Sequence, residues 1–216
     1  WPIRSGPAFD FSSKNGAKRL SGKRFQLSFL SIVAMASTQA SEWVRRWSHL
    51  VPAGTRVLDL ACGYGRHMRW FAERGHPVLG VDRATDALQA AAVLGEVLQS
   101  DLESAPWPLA GQQFGAVVVS NYLWRALFGH IVQSVAPGGV LLYETFAQGN
   151  ESVGKPSNPD FLLRPGELLH AFSDLHVVAY EDGFLNHPAR YVQRIAAVRP
   201  LTDASTAARW PLGAAL

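Results

Sequence analysis

The sequence predicts an α/β fold in which helices cover both faces of a doubly wound, mostly parallel sheet. Short apolar runs alternate with stretches of helical periodicity over most of the chain, and this alternation requires mostly parallel strands. The first run, residues 56–60 (RVLDL), leads into a glycine-rich turn, which is typical of a buried strand that precedes a helix. Near the C-terminus two apolar runs follow each other without a helix between them, so we expect that pair to be antiparallel.

The predicted strands are short and apolar, as expected for strands that are buried on both faces. They are residues 56–60, 77–81, 97–100, 114–120, 140–146, 175–181 and 192–199. The predicted helices have apolar residues at helical spacing or are bounded by proline and glycine. They are residues 42–50, 66–74, 85–94, 123–135 and 165–172.

The composition indicates a folded domain with an ordinary core. Of 216 residues 48% are hydrophobic and 17% charged, and the net charge is only +3, which excludes a disordered chain. The single cysteine, Cys62, excludes a disulfide scaffold and fits a reducing compartment, so we expect a cytoplasmic protein. No apolar run approaches the ~20 residues that a membrane-spanning helix needs, so no membrane partner is expected.

The positive charge is concentrated at the start of the chain. Residues 1–34 carry six basic residues and one acid, whereas residues 35–216 carry 14 basic and 16 acidic residues. The body therefore gives no support for a nucleic-acid partner. We expect residues 1–34 to be an upstream extension, 35–200 to form the domain and 201–216 to be a C-terminal tail. A secretory signal and a basic interaction arm are the alternatives for the first segment.

The turn after the first strand carries the strongest functional signal. Asp59 lies near the end of this strand, and Gly63 and Gly65 lie in the turn that opens the next helix. Glycines let a ligand approach the backbone closely, and the start of a helix offers N–H groups without partners. A dinucleotide site needs a third small residue, where this sequence has Met68. Asp59 would repel a pyrophosphate but attract the amino group of S-adenosylmethionine (SAM), so the electrostatics favour SAM over NAD.

Acidic residues also follow the next two strands. A carboxylate at Asp82 is placed to accept both hydroxyl groups of an adenosine ribose. Asp101 and Leu102 follow the third strand, where an acid and a backbone N–H suit an adenine edge.

With these residues in this order, the sequence resembles class I SAM-dependent methyltransferases from about residue 43 to residue 199. The resemblance is carried by residues 59–65 (DLACGYG), Asp82, residues 100–102 (SDL) and residues 135–141 (VAPGGVL). In size and in the first motif the chain is most similar to small stand-alone enzymes of the tellurite-resistance type. The resemblance implies a Rossmann-like, seven-stranded sheet whose last strand is antiparallel, with SAM as the cofactor and methyl transfer as the activity.

The resemblance also implies roles for individual residues. Gly63 and Gly65 would line the methionine part of SAM, and Asp59 would hold its amino group through water. Asp82 would bind the ribose, and Asp101 with Leu102 would bind the adenine. Helix caps at the two strand-end acids and ordinary turn glycines are the alternatives. The full set of expected cofactor-binding residues is Asp59, Ala61, Gly63, Gly65, Asp82, Arg83, Asp101, Leu102 and Asn121.

The acceptor site is expected in the loops after the fourth and fifth strands. Methyl transfer is an in-line displacement in which the protein mainly aligns the acceptor and excludes water, so no catalytic residue is assigned. Residues 148–163 are expected to form a lid, with Asn150, Lys155, Asn158 and Asp160 as its polar members, and residues 186–191 to reach over the same edge. The acceptor-site candidates are Asn121, Tyr122, Arg125, Glu144 and His187.

Specific roles are expected for three of these acceptor-site candidates. Arg125 would bind an anion bidentately, and His187 is a candidate base whose alternative is a solvated turn residue. Tyr122 and Trp124 would form aromatic walls, with helix packing as the alternative.

The acceptor is predicted to be a small molecule. Residues 121–123 (NYL) lack both prolines of the Asn/Asp-Pro-Pro-aromatic motif with which enzymes methylate amino groups of nucleic acids. The histidines lack the paired spacing of a metal site, so no metal is expected. An RNA or protein methyltransferase and a non-catalytic SAM-binding sensor or scaffold are the alternatives. An NAD-dependent oxidoreductase is disfavoured by Asp59 and Met68. The sequence does not predict an oligomeric state.

Overall fold

The computed structural model of the chain describes residues 39–201 and 209–213, so the predicted extension 1–34 lies outside it. Seven strands form one sheet in the order β3-β2-β1-β4-β5-β7-β6. Their bounds are β1 Val57–Leu60, β2 Val78–Asp82, β3 Glu96–Gln99, β4 Phe114–Ser120, β5 Val135–Phe146, β6 His176–Asn186 and β7 Ala189–Val198.

The strand directions confirm the predicted fold class. Strands β1 to β5 are parallel to one another, and β7 is antiparallel to both β5 and β6. The winding starts at β1, runs to β3 on one side and continues with β4 and β5 on the other. Ligands of such sheets bind beyond the carboxyl ends of the strands at this reversal point.

Helices cover both faces of the sheet. Helices α1 (Glu42–Trp47), α2 (Arg66–Ala72) and α3 (Thr85–Ala91) pack on one face, where Trp43 and Phe71 are buried with Val118 and Leu142. Helices α4 (Phe128–Ser134) and α5 (Glu167–Ala171) pack on the other face. Burial on both faces explains the continuous apolar runs of the strands. Within residues 39–201 and 209–213, every helix is too short or too polar to cross a membrane.

Two predicted boundaries are wrong. Strand β5 begins at Val135 because its register to β4 shifts between Phe114 and Ala116, so the predicted helix 123–135 shrinks to α4 and a preceding 3₁₀ turn, Arg125–Leu127. The second error concerns β6 and β7, which extend to a tight turn at residues 187–188. The predicted loop 186–191 is therefore the tip of a long hairpin.

Candidate functional site

The turn between β1 and α2 holds three residues in the left-handed backbone region. They are Ala61 (φ 53°), Gly63 (φ 52°) and Gly65 (φ 76°). A β-carbon at Gly65 would lie 2.9 Å from Cδ1 of Leu94, whereas one at Gly63 would meet nothing within 4 Å. Gly65 is thus required by packing of the protein itself, and Gly63 leaves open space above the turn for a ligand.

Asp82, the last residue of β2, fixes this turn. One of its carboxylate oxygens accepts a hydrogen bond from the backbone N–H of Gly63 (2.8 Å), and the other accepts one from the N–H of Ala84 (2.9 Å). Ala84 occupies the N-cap position of α3. Asp82 therefore does not cap the helix, as the alternative reading had it, but links the ends of β1 and β2.

Met68, the departure from the dinucleotide pattern, is accommodated by a glycine on the neighbouring strand. A β-carbon at Gly80 would lie 2.8 Å from Sγ of Cys62 and closer still to Sδ of Met68. The space that a small third residue normally leaves between helix and strand is left here by Gly80 instead. Burial, together with the charges of Asp59 and Asp82, raises the pKa of Cys62, so its thiol stays protonated and acts in packing.

A cleft opens beyond the carboxyl ends of β1, β2 and β3, and we call it the donor cleft. It brings together five of the nine predicted cofactor residues. Its lining residues are Ala61, Asp82, Arg83, Ser100, Asp101, Leu102, Glu103 and Tyr122. This position agrees with the crevice that the sheet order predicts.

A second cleft, the acceptor cleft, adjoins the first beyond β4 and β5. Arg83, Glu103 and Tyr122 line both clefts, so the two are adjacent. Phe146 and Phe161 give the acceptor cleft an aromatic character. The full lining is Arg83, Glu103, Asn121, Tyr122, Leu123, Thr145, Phe146, Pro156 and Phe161.

A family comparison agrees with this geometry. Residues 57–139 match the model of the family described as a methyltransferase domain. The match covers less than half of the chain and agrees with the resemblance to SAM-dependent methyltransferases that was drawn from the sequence.

Relatives and solved structures extend the likeness. A malonyl-[acyl-carrier protein] O-methyltransferase of Serratia marcescens is 32% identical over 106 residues, which are 45% of this chain and 40% of that protein. The match therefore spans less than half of this curated relative. TehB from Haemophilus influenzae has a TM-score of 0.63 and 15% identity over 78% of this chain and 66% of its own. A SAM-dependent methyltransferase from Mesorhizobium loti has a TM-score of 0.58 and 21% identity over 74% of this chain and 98% of its own. At these identities the two structures show that this chain shares their fold.

Asp59 lies within the residues that match the family model but outside the lining of the donor cleft. Its side chain is buried, and its Oδ1 lies 3.7 Å from Nδ1 of the equally buried His67. Nε2 of His67 accepts a hydrogen bond from the backbone N–H of Ser41 (3.3 Å), so the neutral ring carries its proton on Nδ1, which faces Asp59. Oδ2 of Asp59 has no hydrogen-bond partner among the described residues. Gly65 occupies the N-cap position of α2, so Asp59 does not cap it.

His67 is a residue that the sequence reasoning missed. The sequence predicts no role for it, because the histidines lack the paired spacing of a metal site.

Asp101 is held by its own loop. Its Oδ1 accepts from the N–H of Glu103 (3.0 Å) and its Oδ2 from Oγ of Ser104 (2.8 Å). These hydrogen bonds lower the pKa of Asp101, which keeps it ionised beside the donor cleft.

Arg125 does not present a bidentate face to a ligand, which corrects the prediction. Nε and Nη2 of Arg125 donate to the two carboxylate oxygens of Glu167 at 2.6 and 3.0 Å. Nη1 and Nη2 also donate to the carbonyls of Asp160 (2.6 Å) and Leu162 (2.9 Å). The fork is thus filled by an internal carboxylate, and Arg125 fastens the loop before α5 to the turn after β4.

Glu144 and His187 lie outside the two clefts. Glu144 is buried, with Oε1 accepting from Oγ of Ser120 (3.1 Å) and Oε2 3.5 Å from Nε of Arg194. His187 is exposed at the tip of the hairpin.

The polar lid residues serve the structure of their own loop. Asn150 is buried, donates to the carbonyl of Pro156 (3.0 Å) and accepts from the N–H of Tyr191 (3.3 Å). Asn158 accepts from the N–H of Asp160 (3.1 Å). The lid contributes Pro156 and Phe161 to the acceptor cleft instead of the expected polar residues.

Proposed function

We propose that the protein transfers a methyl group from SAM to a small-molecule acceptor, with donor and acceptor bound in the two adjoining clefts. The observation that carries this proposal is that a polar cleft and an aromatic one adjoin at Arg83, Glu103 and Tyr122. A methyl donor and an acceptor bound in the two clefts would therefore lie next to each other.

The chain's own residues fit SAM. The open space above Gly63 suits close approach of the methionine part. Oδ2 of Asp59 is buried outside the lining of the donor cleft and has no partner among the described residues, so it would reach the amino group only through water. Asp82 uses one lone pair of each oxygen for the turn and keeps others for the ribose hydroxyls. Leu102 and Asp101 would contact the adenine.

When bound, SAM supplies a methyl group that is already activated for displacement. The residues of the chain orient the acceptor and exclude water. The rings of Tyr122, Phe146 and Phe161 provide an apolar wall for this purpose. Burial, followed by the charges of Glu103 and Asp101, raises the pKa of Tyr122, so its phenol is neutral at physiological pH and acts as a hydrogen-bond donor rather than as a base.

The first test is a labelling experiment. Purified protein is incubated with methyl-labelled SAM and a small-metabolite extract, and separately with malonyl-[acyl-carrier protein], the acceptor after which the Serratia relative is named. We expect label in a small molecule and SAM binding by calorimetry, with no binding of NADH. Binding of SAM without transfer to either acceptor source would favour the sensor alternative. Binding of NADH without SAM would refute the proposal.

We also propose a cytoplasmic location and a domain spanning residues 35–200. The single buried cysteine, Cys62, suits a reducing compartment, and the sheet with its covering helices lies within residues 42–198.

A further inference from the structure

Beside the acceptor cleft, three arginines surround one buried glutamate, and we call this group the arginine cluster. Its members are Arg66 of α2, Arg190 and Arg194 of β7, and Glu144 of β5. Arg66 donates to Oγ of Ser120 (2.8 Å), which donates to Glu144 (3.1 Å). Nε of Arg194 lies 3.5 Å from Glu144 on the paired strand.

The cluster has more positive than negative charge. Nη1 of Arg194 also donates to the carboxylate of Glu181 (3.3 Å). Glu181 in turn forms an ion pair with Arg46 at 3.1 Å. Counting these outer residues, four arginines face two glutamates. The surplus is a net charge of +2 in a partly buried region, where ionic interactions are stronger than in water.

Arg190 is the least compensated of these arginines. Within the described part of the chain its Nη1 makes one long hydrogen bond, to Oδ1 of Asn121 (3.4 Å), while its Nε is buried and has no partner. Burial lowers the pKa of Arg190. Glu144 opposes this shift, and the nearby charges of Arg194 and Arg66 add to it. Arg190 is half-buried, and its buried Nε is a charged donor whose lack of a partner is costly unless an anion completes its hydrogen bonds.

Arg190 also lies next to two lining residues of the acceptor cleft. Its hydrogen-bond partner Asn121 lines the acceptor cleft, and its guanidinium carbon lies 6.0 Å from the ring centre of Phe146, another lining residue. Strand β7 starts at the edge where β5 ends, which brings Arg190 to the carboxyl edge of the sheet.

We propose that Arg190 binds a carboxylate group of the methyl acceptor. This inference rests on the proposed function and narrows its substrate class to carboxylic acids with an apolar body. The planar fork of arginine matches the two oxygens of a carboxylate, and the aromatic wall beside it matches the apolar part. The hairpin tip thus selects the acceptor, a role that Arg125 was expected to have.

The test compares acids with their amides on the intact protein saturated with S-adenosylhomocysteine, the demethylated form of the donor. The probes are acetate and acetamide, hexanoate and hexanamide, and phenylacetate and phenylacetamide, measured by calorimetry and by ligand-observed NMR. We expect at least one acid to bind about tenfold or more tightly than its amide, as for a charge-assisted hydrogen bond. If no acid binds better than its amide, the proposal is overturned, and this comparison needs no variant.

Variants then assign the effect to Arg190. R190Q should abolish the preference for the acid, and R190K should keep a part of it. The matched control is R74Q, which removes one exposed arginine whose guanidinium stacks on Trp70. Thermal melting verifies folding of each variant.

The alternative partner of Arg190 is the carboxylate in the methionine part of the methyl donor. If R190Q weakens binding of S-adenosylhomocysteine more than it weakens the acids, Arg190 serves the donor and the inference fails while the proposed function stands. If S-adenosylhomocysteine does not bind wild-type protein at all, the proposed function itself fails.

Discussion

Substitution by alanine should lower the free energy of unfolding more at Gly65 than at Gly63, two glycines of the same turn. At Gly65 an alanine would keep a left-handed backbone (φ 76°), which costs about 1–2 kcal/mol. Its β-carbon would also lie 2.9 Å from Leu94 and 3.1 Å from Ala91, and such overpacking costs about 1–3 kcal/mol. Gly65→Ala should therefore lower the free energy of unfolding by about 2–5 kcal/mol. At Gly63, where nothing lies within 4 Å, only the backbone cost of about 1–2 kcal/mol applies.

Urea unfolding followed by tryptophan fluorescence measures this difference, with an unchanged slope as the criterion that the unfolded states are comparable. In a domain of this size each kcal/mol lowers Tm by roughly 2–4 °C. Gly63→Ala should weaken SAM binding more than Gly65→Ala does, because its methyl group projects into the space assigned to the ligand. Equal stability of the two variants, or lower stability of Gly63→Ala, would refute the distinction between a packing glycine and a ligand glycine.

Three further predictions concern single side chains. Asp82→Asn should weaken SAM binding about tenfold or more, because the amide cannot accept hydrogen bonds from the backbone N–H groups of both Gly63 and Ala84. Calorimetry measures the affinity, and an unchanged value would show that Asp82 does not belong to the site. Burial raises the pKa of Glu167, but the hydrogen bonds from the side chain of Arg125 and the backbone N–H of Arg164 outweigh it, so the pKa is lowered. The ionised carboxylate of Glu167 therefore stabilises the folded protein above the ordinary carboxylate pKa of about 4.3. This stabilisation is lost as pH falls through the lower pKa that Glu167 has in the folded protein. Wild-type protein should thus lose stability on acidification below about pH 5 more steeply than Glu167→Gln in urea titrations, and parallel curves would contradict this. Tyr122→Phe removes a buried hydroxyl without a partner among the described residues, so the free energy of unfolding should stay equal or rise by about 1 kcal/mol; a loss above about 2 kcal/mol would reveal a partner.

The sheet could be predicted from sequence because its signals are local. Each strand is a short apolar run bounded by a turn, and the absence of a helix between the last two strands predicted their antiparallel pairing. The turn at Gly63 and Gly65 and the acid at Asp82 were likewise visible, since strand order brings the carboxyl ends of β1 and β2 together.

The pairings between distant residues could not be predicted. Arg125 meets Glu167 across 42 positions, and nothing near Arg125 in sequence indicates that its fork is already filled. The same applies to His67, whose partners are Asp59 and Ser41. Met68 was interpreted from its own helix alone, whereas the compensating residue, Gly80, lies on a neighbouring strand.

The hydrogen bond from Ser41 to His67 has a practical consequence for preparing the protein. Ser41 also caps α1, so a deletion that reaches it would remove a helix cap and a contact of the buried histidine at once. An affinity tag fused ahead of residue 39 enters the domain on this same side. Truncated forms should therefore keep residues 39–41, and a purification handle is better fused to the opposite terminus.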